Sequence, residues 1–170
     1  MERFPLKKIV IPLIIVVLIF AFGVMNSIGA EKIKLSDTRY YFTTKHEALK
    51  VDDVEGHAIA ISESKAVDIG SKVLSICRNT YDLVRGNGTI RGYCTMMEPD
   101  GRVTRFTSHE GKVMTTLSPE KKPIMTVEGT WIVVKGIAEW QGATGGGTWK
   151  MKGIAEGIFV MDWQGEMVKP

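Results

Sequence analysis

Three histidines, His46, His57 and His109, and two cysteines, Cys77 and Cys94, carry most of the reactive chemistry in this chain. The histidines match no compact metal motif, and no Cys-x-x-Cys occurs. Each imidazole is a candidate general base, but no neighbouring residue selects one. His109 and Glu110 fall on opposite faces of an extended chain, which weakens them as a pair. The serines form no Gly-x-Ser-x-Gly elbow. The expectation is therefore no metal, no cofactor and no assigned catalytic set.

The cysteines flank "RGNG" at 85–88 and are symmetric about Arg85–Gly86. A hairpin turning there places them opposite or nearly opposite, which predicts a disulfide in an oxidising compartment. The closed loop of about 17 residues gives such a bridge roughly 3 kcal/mol in the chain-entropy picture. Two buried thiols are the alternative.

"KGIAEWQGATGGGTW", residues 135–149, is the most glycine-rich stretch. It lacks the Gly-Lys-Ser/Thr ending of a P-loop, and strand-like chain follows where a dinucleotide fingerprint requires a helix. A hairpin corner is expected instead: strand 131–140, a turn through Gly142–Gly147, then strand 149–163. Glu139 then shares a face with Trp131, Val133 and Ile137, which makes it an interior or mouth-lining carboxylate. Trp131, Glu139, Trp149 and Phe159 are the candidate ligand-binding residues.

These residues need elements to position them. Strand-like segments occur at 39–44, 57–62, 73–84, 89–97, 102–108, 112–117, 124–140 and 149–163, divided by turn residues. The best helical candidate is the short 62–71. From Trp149 to Trp163, large rings and glycines alternate on one face, as in a curved strand. The pattern predicts an all-β fold, a small antiparallel β-barrel of about eight strands, with a β-sandwich as the alternative.

Residues 1–30 have a basic start, an apolar run at 9–25 and small residues at the end. They read as a signal peptide cleaved near Ala30 or as an N-terminal membrane anchor. Residues 31–170 then form one domain in the periplasm or secreted, or held at the inner membrane facing the periplasm. Setting aside Glu2, Arg3, Lys7 and Lys8 leaves 19 basic against 18 acidic residues, so nucleic acid is not an expected partner.

"GNGTIRGYC" at 86–94, "EPDG" at 98–101 and the 135–149 stretch together resemble the barrels of the allene oxide cyclase and dirigent superfamily. The resemblance implies a small antiparallel barrel over most of 35–165, and a cyclase acting on a fatty-acid epoxide as its most specific activity. It carries over no site residue. The functional expectation is a non-catalytic extracytoplasmic barrel that binds a small apolar ligand, a lipid or a partner protein. A membrane-anchored accessory subunit of an envelope complex and a cyclase or isomerase acting on an apolar substrate are the alternatives.

Overall fold

The computed structural model describes residues Ala30–Pro170. The expected signal or anchor segment, including the apolar run 9–25, lies outside them. Among the described residues no helix is long and apolar enough to cross a membrane.

Eight strands follow one another: β1 (Glu31–Lys50), β2 (His57–Asp68), β3 (Leu74–Val84), β4 (Asn87–Met97), β5 (Val103–Leu117), β6 (Pro123–Gly136), β7 (Thr144–Ala155) and β8 (Ile158–Lys169). A single turn of 3-10 helix, Ala138–Trp140, separates β6 from β7. The strands are hydrogen-bonded in chain order and the sheet closes on itself. Tight turns set this order. At Arg85–Gly86 both residues have positive φ, 51° and 76°, the twist that joins adjacent antiparallel strands.

One continuous sheet replaces the alternative of a two-sheet sandwich. The expected barrel also needs correction, because the closure is a ring of hydrogen bonds without regular barrel geometry. Strand lengths run from 11 to 20 residues. The register shifts at Thr43/Lys45, Met96/Met97, Phe106/Thr107 and Gly153/Ala155. The β6–β7 ladder pairs only Thr126–Ile132 with Gly146–Lys152. Val133–Gly136 therefore lie beyond the ladder, and residues 137–143 connect the two strands across that seam.

Other expectations shift for local reasons. The helical candidate 62–71 is mostly strand: Ser62, Ser64, Ala66 and Asp68 alternate inward along β2, and small inward side chains give a weak helical signal. Residues 149–163 are a hairpin, not one strand, turning at Glu156–Gly157. The turn keeps Trp149 and Met151 on the same inner face as Met161 and Trp163. Gly145–Gly147 lie inside β7 and do not form the turn.

Their use is packing. Gly111 faces Gly129 across β5–β6, and Gly147 faces Gly165 across β7–β8. The Trp149 ring lies over the first pair, and the Trp131 ring over the second: a Cβ on Gly111 or Gly165 would stand 2.8 or 2.7 Å from indole carbons. Each indole N–H is held by backbone, Trp149 by Thr130 O at 3.0 Å and Trp131 by Gln164 O at 3.2 Å. Rings therefore fill the space that cross-strand glycines leave. Cys77 and Cys94 are directly opposed in register, buried, and joined in a disulfide with Cα atoms 4.1 Å apart.

A buried ion pair completes the inner face. Arg39 on β1 donates through Nε and Nη2 to the two oxygens of Asp68 on β2, and both side chains are nearly inaccessible. Trp163 Nε1 and Ser71 Oγ also donate to Asp68, at 3.2 and 3.4 Å. Removing one partner of such a pair leaves an uncompensated charge. We predict that Asp68→Asn lowers unfolding free energy by about 3–5 kcal/mol in urea titrations, and that the double change Arg39→Met, Asp68→Leu restores most of it. A cost below about 1 kcal/mol for Asp68→Asn would contradict the assignment.

Candidate functional site

The inner faces of the strands line a partly open cavity of about 60 Å³. That is room for roughly five water-sized spheres, against about 300–1,000 Å³ for sites that take drug-sized ligands. Its wall contains Trp131, Trp149 and Phe159, so three of the four sequence-selected residues meet there. Glu139 does not. It lies exposed on the 3-10 turn, 3.1 Å from Arg102, because β6 ends at Gly136 and the chain leaves the sheet before reaching it. Gly136 permits that departure, since a Cβ there would overlap Trp140 O.

The wall also carries polar groups, of which the sequence had singled out only His109. Arg39, Asn79, Tyr81, Arg105 and His109 all border the cavity. Alongside the rings and methionines, cations and hydrogen-bonding groups therefore also face this small space. Parity along β5 was the available signal. Arg105, Thr107, His109, Gly111 and Val113 alternate, and Val113 is fully buried.

His109 belongs to a fixed chain of hydrogen bonds. Asn79 Nδ2 donates to Ser62 Oγ at 3.1 Å, which leaves Asn79 Oδ1 to accept from His109 Nε2 at 2.8 Å. The proton therefore sits on Nε2, and the bare Nδ1 faces the Cys94 sulfur at 3.8 Å. Burial, and then the nearby charge of Arg39, push His109 down to about 4.

Arg105 is the unusual group. It is 9% exposed, and its guanidinium stacks on Trp140 at 4.3 Å. Among the described residues the carboxylate paired with it is Glu98, 4.0 Å away, and Glu98 also accepts from Thr104 Oγ1 at 3.2 Å. Burial lowers the Arg105 pKa, Glu98 partly offsets this, and the charge of Arg39 lowers it further. The register shift beside it, where Met96 pairs with Arg105 and Met97 with Val103, is a bulge that re-aims the side chain.

His57 lies away from the cavity, at the start of β2. Its Nδ1 is 2.5 Å from Asp53 and its Nε2 is 2.9 Å from Asp82. The hydrogen bond to Asp53, then the one to Asp82, raise its pKa. His46 is exposed. Among the described residues no group of three or more His, Cys, Asp or Glu is arranged to hold a metal ion.

Comparison of the chain with protein-family models, with curated proteins and with solved structures finds no match.

The two shifted histidines act in opposite directions. His109 binds a proton more readily unfolded than folded, so stability falls as pH drops from about 6.5 towards 4, by on the order of 3 kcal/mol. The His57 clamp is fully present below its unfolded value near 6.5 and is lost as pH rises through its raised folded value. In an NMR titration His57 should titrate above 6.5 and His109 far below it, and His109→Gln should flatten the acid limb of the stability curve. A His109 midpoint near 6.5 would contradict the buried hydrogen-bonded arrangement.

Proposed function

We propose that this chain is a binding protein of an oxidising compartment that takes a compact polar molecule into the cavity of its closed sheet. The observation that carries this reading is the cavity itself: about 60 Å³, bordered by tryptophan faces and by Arg105, Asn79, Tyr81 and His109. A small, partly open space with convergent polar groups favours a ligand of a few non-hydrogen atoms. The disulfide supports the compartment, because such bridges persist where thiols are not kept reduced.

The chemistry favours binding over turnover. His109 has one ring nitrogen committed to Asn79 and the other against the disulfide, so neither is placed to relay a ligand proton. Trp131 and Trp149 are fixed by backbone acceptors and present rigid faces.

Ligand-observed NMR on the full, oxidised chain tests this, using water-soluble compounds of up to about six non-hydrogen atoms alongside larger homologues. Binding should fall off with ligand size. Thr107→Leu, which adds volume at the cavity wall, should abolish binding while near-UV circular dichroism stays unchanged. Equal binding to Thr107→Leu, or a preference for the larger homologues, would place the ligand elsewhere.

A further inference from the structure

We infer that the ligand of this cavity is a small organic carboxylate, held by Arg105. This rests on the cavity being the binding site, and it adds the chemical class of what enters.

The two interior arginines are in opposite states. Arg39 is saturated: it forks onto both oxygens of Asp68, reaches Tyr41 Oη at 3.3 Å and lies 5.2 Å from the centre of the Trp163 ring. Asp68 is equally occupied, with Trp163 and Ser71 as further donors. Its hydrogen bonds are committed, so toward Arg105 it offers charge without a direct bond. Arg105 borders the same cavity, and among the described residues its guanidinium makes no side-chain hydrogen bond. Glu98 at 4.0 Å is beyond hydrogen-bond length and is already engaged by Thr104.

Two guanidinium groups thus face one fully committed carboxylate, Asp68, and the part-exposed Glu98 at 4.0 Å from Arg105, and the imidazole beside them is neutral at pH 7. A buried charge without a hydrogen-bonded partner is costly, and a ligand bringing a negative charge within hydrogen-bond reach relieves that cost. A planar guanidinium matches a carboxylate in shape as well as charge, because two parallel N–H donors meet two oxygens. Trp140 backs the guanidinium, leaving its edge to bind. Met96, Trp131 and Met167 on the cavity wall suit the short apolar remainder of such a molecule. The volume limits that remainder to a few carbons.

The decisive experiment compares isosteric pairs, acetate with acetamide and propionate with propionamide, by calorimetry and ligand-observed NMR on the full oxidised chain at low chloride. The carboxylates should bind at least about tenfold more tightly than their amides. Arg105→Gln should erase that preference, Arg105→Lys should leave part of it, and Arg102→Gln, at an exposed arginine, should leave it intact. If Arg105→Gln does not fold, the carboxylate-to-amide ratio in the parent chain together with Arg105→Lys decides the matter.

Equal binding of amides and carboxylates would overturn the inference while leaving the cavity as the binding site. A carboxylate preference that survives Arg105→Gln would overturn it by moving the anion elsewhere. Displacement of propionate by equimolar chloride or inorganic phosphate would reduce the site to general anion binding and overturn the organic carboxylate. Binding of no compound from either series would overturn both the inference and the cavity reading beneath it.

Discussion

The Arg39–Asp68 pair is the interaction on which the rest of the interior depends. It joins β1 to β2 and receives Trp163 from β8, so one buried cluster ties together the strands where the ring closes. Burying two ions is worthwhile only where further donors complete the carboxylate, and here Trp163 and Ser71 do so. The pair also sets the field for everything else inside. Its arginine helps keep His109 neutral and adds to the burial that lowers the Arg105 pKa. Because the hydrogen bonds of Asp68 are taken and Glu98 stands 4.0 Å away, Arg105 has no side-chain hydrogen bond among the described residues.

Packing then decides how large that something is. Cross-strand glycine pairs let the Trp131 and Trp149 rings lie against the sheet, and the Cys77–Cys94 bridge fixes β3 to β4. The cavity that remains is small because large rings were seated on positions without side chains. Irregularity matters as well. The bulge beside Arg105 and the short β6–β7 ladder put the 137–143 connection near the guanidinium, with the Trp140 ring in contact with both Arg105 and Lys169.

Much of the architecture was legible in the sequence, and the misses have physical causes. Turn chemistry at Arg85–Gly86 placed the cysteines in register, because a tight turn fixes strand pairing on both sides of it. Period-two alternation identified Trp149, Met151, Phe159, Met161 and Trp163 as inward although a hairpin turn interrupts them, while Ala155, expected on the same face, is exposed beside a register shift. The seam was not legible: Glu139 and Trp140 continue an apolar alternation, and only the collision that a side chain at Gly136 would cause shows that the chain departs there. The charged interior was missed for a different reason. Arg39, Asp68 and Arg105 were not singled out, because charged types are seldom buried, whereas parity with Tyr41, Ala66 and Val113 places them inside. Residue type was given more weight than position, and in a closed sheet position decides.

The central claim is that Arg105 is an interior cation open to a ligand while Arg39 is not. It is tested most directly by following the Nε–Hε resonances of both arginines in the 15N-labelled full chain as acetate is added. The account predicts that the Arg105 resonance moves downfield and saturates while the Arg39 resonance, locked to Asp68, stays in place. An unmoved Arg105 resonance, or the two shifting together, would contradict it.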